Sequence, residues 1–170
     1  MTAVWLGLFL GHAALAQNTR INDLNTIGWY NYFGTFKLSS RFGIHTEYQW
    51  RRDNLVTDWQ QSLLRTGVNY QLHPNVQLRL GYAWIETFAY GDIPIERSGR
   101  QFTEHRTFQM VTVTDAVGRV GLSHRFMLEQ RWIGRYTAEN LSREDEFFYA
   151  NRLRYMFRMQ IPLKGTTMAD

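Results

Sequence analysis

Residues 42–51 read FGIHTEYQWR. Successive side chains of an extended strand point to opposite sides. Ile44, Thr46, Tyr48 and Trp50 therefore share one face, and His45, Glu47, Gln49 and Arg51 share the other. One face is apolar and aromatic, the other charged. The same period of two recurs along the chain. In residues 62–72, Leu64, Thr66, Val68, Tyr70 and Leu72 oppose Arg65, Gly67, Asn69 and Gln71. In residues 76–84, Val76, Leu78, Leu80, Tyr82 and Trp84 oppose Gln77, Arg79 and Gly81. In residues 119–132, Val120, Leu122, Phe126, Leu128 and Trp132 oppose Arg125, Glu129 and Arg131. Further on, Leu153, Tyr155, Phe157, Met159 and Ile161 oppose Arg152, Arg154, Arg158 and Gln160. Weaker alternation marks residues 27–38 and 104–113. The pattern predicts about seven antiparallel strands, several longer than the ~5–6 residues usual in soluble sheets.

The connections alternate in length. Short turns are expected at Ser39-Ser40-Arg41, His73-Pro74-Asn75 and Asp115-Ala116-Val117, and long polar loops at residues 52–58, 89–103 and 133–145. Short turns at one rim and long loops at the other suit an outer-membrane barrel. Trp29, Trp50, Trp59, Trp84, Trp132, Phe147 and Phe148 cluster near strand ends, where aromatic girdles are expected. The fold class read from the sequence is therefore all-β: an antiparallel up-and-down transmembrane β-barrel, here an incomplete wall of about seven strands. Single-chain bacterial barrels have at least ~8 strands. Residues 164–170 read as a turn leading into another strand, so residues 17–170 are expected to be the N-terminal portion of a longer barrel.

Composition agrees with this class. The chain has 170 residues, room for one domain, and carries 19 Lys+Arg against 15 Asp+Glu, a formal charge of +4. Aromatic residues make up 15%, which excludes a disordered chain. The absence of Cys excludes a disulfide scaffold and a thiolate metal site. Mean hydropathy is negative, which a membrane barrel tolerates because only alternate residues meet lipid. Residues 1–16, MTAVWLGLFLGHAALA, combine a short apolar run with an A-x-A site and read as a secretory signal peptide. Export would place the protein in the outer membrane of a Gram-negative bacterium.

Three stretches carry a family resemblance. They are Asn18-Thr19-Arg20-Ile21-Asn22-Asp23 followed by Ile27-Gly28-Trp29-Tyr30-Asn31-Tyr32-Phe33, then His124-Arg125-Phe126 with Leu128-Glu129-Gln130-Arg131-Trp132, and Asn151-Arg152-Leu153-Arg154-Tyr155. Together they resemble the bacterial domain-of-unknown-function family 2490. The resemblance implies an outer-membrane barrel without an assigned activity. It brings no catalytic residues, and it implies several further strands ending in an aromatic-rich one.

The charged face is the candidate functional surface. Charges inside a narrow barrel are costly unless matched, and Arg forks onto a carboxylate. Hairpin geometry places Glu47 near Arg65, Glu129 near Arg152 and Arg154, and Arg125 toward Arg158. With Arg79, these are the expected lumen-lining charges, acting as an electrostatic plug or as a narrow, anion-preferring pore. His45 falls beside Glu47, and His124 falls on the apolar face. Ser123 and His124 point to opposite faces and cannot form a dyad. Glu144-Asp145-Glu146 reads as a solvated loop cluster. No motif calls for catalysis, a metal or a cofactor. Arginines spread along alternating strands, with no basic stripe, argue against nucleic acid. The implied partners are outer-membrane lipid and lipopolysaccharide, the barrel-assembly machinery during insertion, and a small solute. The alternative is a soluble periplasmic up-and-down barrel binding a hydrophobic ligand, with the same apolar face turned inward.

Overall fold

The computed structural model describes residues 24–91 and 99–162. The signal-peptide reading, part of the second long loop and residues 163–170 lie outside the described residues. Seven strands follow in chain order: β1 (Ile27–Lys37), β2 (Phe42–Asp53), β3 (Asp58–His73), β4 (Val76–Thr87), β5 (Phe102–Val117), β6 (Val120–Arg135) and β7 (Glu146–Gln160). They form one antiparallel sheet in the order β1-β2-β3-β4-β5-β6-β7. Each strand pairs only with its sequence neighbours. The sheet is thus an open meander, not closed into a barrel, with β1 and β7 as its edges.

The strands run past the ends that alternation marks. β3, β5 and β6 each span 16 residues. The sequence places a turn at Asp115-Ala116-Val117, but these residues continue β5, with Val117 paired to Val120. The turn is Gly118-Arg119. Gly118 takes φ +60, the left-handed conformation that a two-residue hairpin of the II′ kind requires at its first position. Asp115, a polar residue three places before Gly118, hides this from a pattern search. The short turns at residues 38–41 and 74–75 stand where the sequence puts them.

Register decides which residues share a row. On one face, Tyr32, Tyr48, Leu64, Trp84, His105, Trp132 and Tyr149 lie in register across all seven strands. Two rows further along the strands lie Phe36, Ile44, Val68, Leu80, Gln109, Leu128 and Leu153. Leu80 is 62% exposed and Leu153 75%. This apolar face is the outside of the sheet. Trp50, Trp84, Trp132 and Phe147 lie toward the long-loop rim, as an aromatic girdle would.

The opposite face is the inside. Its apolar floor is small: Leu63, Ala83, Ile85, Phe108, Met110 and Met127 are the buried hydrophobics. One cavity is bounded by residues from Phe33 on β1 to Arg154 on β7, so the single layer curls around this face. Gly67 and Gly81 pair across β3 and β4 on the inside. A Cβ on Gly81 would collide with the Thr66 carbonyl oxygen and the Phe108 ring. The tip of the Phe108 ring occupies the space over Gly81 because no side chain stands there. We expect Gly81→Val to lower stability by about 1–3 kcal/mol through overpacking, although Val is the better strand former. The midpoint of urea unfolding, followed by Trp fluorescence, measures this. A rise in the midpoint would refute the packing argument.

Candidate functional site

The deepest groups on the inside include three carboxylates. Glu129 is fully buried, Glu104 2% exposed and Glu47 4%. A carboxylate this far from water needs cationic donors, and the neighbouring strands supply arginines. On β2 and β3, the register sets Glu47 opposite Arg65, and Arg65 Nη1 donates to Glu47 Oε2 at 2.7 Å. His45 Nε2 lies 3.6 Å from the same oxygen, and the Gln49 amide donates to Oε1. On β6 and β7, Glu129 faces Arg152. Arg152 Nε donates to Glu129 Oε2 at 2.5 Å. Arg154 Nε stands 3.6 Å from that oxygen, and Arg106 Nη1 3.8 Å from Oε1.

Glu104 completes the network. Arg106 grips it with two donors, Nε to Oε1 at 2.5 Å and Nη2 to Oε2 at 2.7 Å. Arg131 grips it from β6, Nη2 donating to Oε2 at 3.0 Å. Arg106 therefore joins Glu104 to Glu129. The result is a continuous lattice of guanidinium and carboxylate from β5 to β7. Arg106 and Glu104 are two places apart on one strand, so their side chains rise side by side on the same face.

The expected pairs Glu47–Arg65 and Glu129 with Arg152 and Arg154 are present. Arg79 donates from Nε to Asn69 Oδ1 at 2.5 Å. The expectation that Arg125 turns toward Arg158 is corrected. Arg125 stands opposite Met156, and Arg158 opposite Ser123. Arg158 shares the inner parity but is exposed and does not line the cavity. The acidic cluster is a solvated stretch as read, with Asp145 and Glu146 exposed and Glu144 half-buried, and it is anchored as well. Glu144 Oε1 accepts the Thr103 N–H at 2.5 Å, and Asp145 Oδ2 accepts the Thr137 hydroxyl at 2.7 Å. Glu146 opens β7. These bonds, with Tyr136 donating to the Gln101 carbonyl at 2.7 Å, tie the loop before β7 to the segment before β5.

Glu104, Arg106 and Arg131 were missed as site residues. The signal was present in Glu104-His105-Arg106, where charge alternates with the outward His105. It was masked because Phe108 and Met110 follow on the same inner face and break the polar periodicity. The histidines divide by face. His45 stays inside, whereas His105 and His124 are outside, hydrogen-bonded to Tyr82 and Tyr155. Among the described residues, no three His, Asp or Glu side chains converge as metal ligands.

Above the lattice lies a cavity of about 490 Å³, lined by Arg51, Arg65, Arg79, Arg106, Arg125, Arg152 and Arg154 among others. Water inside it would meet charged side chains over an apolar floor. Residues 26–169 match the family described as Protein of unknown function (DUF2490). The chain belongs to this family. The match runs through all seven strands, so the ion-pair lattice lies wholly within the family region. No curated protein and no solved structure matches the chain.

Glu129 serves three arginines, and a neutral amide cannot. We expect Glu129→Gln to cost about 2 kcal/mol or more. That sits below the range for a fully buried pair because Arg152 and Arg154 keep partial contact with water. Adding Arg152→Gln should cost less than the sum of the single losses. Urea-unfolding midpoints of the four proteins in the cycle test this, and strict additivity would deny the coupling.

Proposed function

We propose that this chain forms the wall of an outer-membrane β-barrel in a Gram-negative bacterium. It would act as a structural element or a narrow pore with an Arg/Glu-lined lumen, and not as a catalyst. One observation carries the reading: the sheet is inverted relative to a water-soluble protein. Its most buried side chains include Glu129 and Glu104, whereas Leu80, Leu153, Phe126, Phe157 and Met159 are 47–75% exposed on the outside. Apolar patches of this extent are rare on soluble monomers, and hydrocarbon is the solvent that suits them.

Strand lengths of 11–16 residues exceed the ~9–11 that a tilted membrane strand needs. The row Thr46, Thr66, Tyr82, Thr107, Gln130 and Asn151 interrupts the apolar outside, but its amides are satisfied laterally. Gln109 and Gln130 exchange hydrogen bonds at 3.0–3.1 Å, and Thr107 donates to Gln130 at 2.9 Å. Free edges cannot face hydrocarbon, so the reading requires β1 and β7 to find strand partners in the membrane. The partners it implies are lipid, lipopolysaccharide and the barrel-assembly machinery. The soluble alternative turned the apolar face inward to hold a hydrophobic ligand. The inward face here is the charged one, which speaks against that ligand.

Two measurements test the proposal. The protein should fold in detergent micelles or lipid vesicles and aggregate when detergent is withdrawn. Leu80→Arg should cost about 2–4 kcal/mol in lipid, as an arginine does near a bilayer midplane. On a water-exposed surface the same change stays within about 0.5 kcal/mol. A monomer that remains folded in plain buffer, indifferent to Leu80→Arg, would end the membrane reading.

A further inference from the structure

The carboxylates inside the sheet do not suffice for its arginines. Seven arginines line the cavity against one carboxylate, Glu47, with Glu104 and Glu129 beneath. Those three acids engage Arg65, Arg106, Arg131, Arg152 and Arg154. Among the described residues, Arg51, Arg79 and Arg125 make no ion pair with a carboxylate; Arg51 lies over the Trp29 ring, and the other two line the cavity with Arg154. Arg125 has no hydrogen bond or ion pair among the described residues. Arg79 is matched by a neutral amide, Asn69. Arg154 stands 3.6 Å from an already shared carboxylate and turns Nη2 to the Met127 sulfur at 3.3 Å. A thioether is a weak acceptor, so this guanidinium has donors to spare.

Register sets Arg125 beside Arg154, while Arg79 stands three strands away and lines the same cavity across the curl. Arg79, Met110, Met127 and Arg154 lie in one row across β4 to β7. Arg125 is one inward position along β6 from Met127, a diagonal neighbour of Arg154. Such neighbours sit about 7–8 Å apart at the backbone, a spacing that lets two guanidinium groups close on one anion. The Met110 and Met127 side chains form a buried floor. Like charges this close repel unless something negative lies between them.

We propose that Arg79, Arg125 and Arg154 form a binding site for a small polyanion bearing carboxylate or phosphate groups. The cavity's volume is that of a small-metabolite pocket. Arg supplies paired donors in a plane, which suits both groups. The site deepens the pore reading by naming its solute class, and it requires only that the inner face meet water.

The test is isothermal titration calorimetry on the full chain in zwitterionic micelles, with citrate, pyrophosphate and glucose as probes. Citrate and pyrophosphate should each bind once and compete with one another, while glucose gives no heat. Arg125→Gln and Arg79→Gln should each weaken binding at least about tenfold. Arg41→Gln, a charge change at an exposed turn, should leave it within about twofold. Circular dichroism checks that the sheet persists, and if Arg125→Gln loses it, Arg79→Gln decides. Absence of heat with both anions up to about 10 mM, or equal loss from Arg41→Gln, overturns the site. Binding by a protein that stays folded without detergent would sink the membrane reading and keep the site. Correct membrane partition without anion binding would do the reverse.

Discussion

A sheet one layer thick has no second layer to cover either face, and it meets this constraint through shared carboxylates. Glu129 is held by arginines from β5 and β7 and Glu104 by arginines from β5 and β6. Each cation therefore ties neighbouring strands together above the backbone ladder. Burial of charge normally costs more than it returns. Here the desolvation is offset in part: Glu104 accepts from Arg106 and Arg131 with paired geometry, while Glu129 accepts from Arg152 with Arg154 at 3.6 Å and Arg106 at 3.8 Å, and its buried Oε1 has no hydrogen-bond partner among the described residues. Arg106 reaches both acids because Glu104 stands two places before it on β5 and Glu129, opposite Phe108 on β6, is its diagonal neighbour; the curl takes the three out of water. A flat sheet would hold the same side chains in the same order and leave them in water.

The apolar inner residues serve this lattice rather than forming a core of their own. Leu63, Ala83 and Ile85 make one small cluster, and Phe108, Met110 and Met127 another. Gly67 and Gly81 make room between them, and the Phe108 ring fills it. Arg65 lies over that ring, its guanidinium 5.5 Å from the centroid. Glycine at a strand interior usually weakens it. Here Gly81 leaves room for the tip of the Phe108 ring, which a Cβ would exclude.

Outside, the aromatic row and the long loops occupy the same rim. The loop before β7 is held by Glu144 and Asp145, and Arg135 caps the Phe148 ring at 4.0 Å. At the short-turn rim Gly118 sets one hairpin, and Phe36, Phe42, Phe126, Tyr155 and Phe157 are exposed on the outer face of that half. Charges sit inside, and rings stand outside toward both rims.

Much of this was legible before any coordinates. Alternation in FGIHTEYQWR and its repeats settles strand direction, face and the pairing of Glu47 with Arg65, because a period of two and a short hairpin leave little freedom. It also assigns Glu129 to Arg152 and Arg154. What alternation cannot show is where a strand stops when its last residues are paired but irregular, as at Asp115-Ala116-Val117. Nor can it show a charge whose strand-mates on the same face are apolar, as with Glu104 and Arg106 beside Phe108 and Met110. The sequence by itself determined the strands, their two chemistries and the hairpin pairs, since these depend on neighbours along the chain and across one turn. Only the tertiary structure decided which face curls inward, how deeply Glu104 and Glu129 are buried, and that Arg125 has no hydrogen bond or ion pair among the described residues. Those outcomes depend on curvature summed over seven strands, and no local stretch of residues encodes that sum.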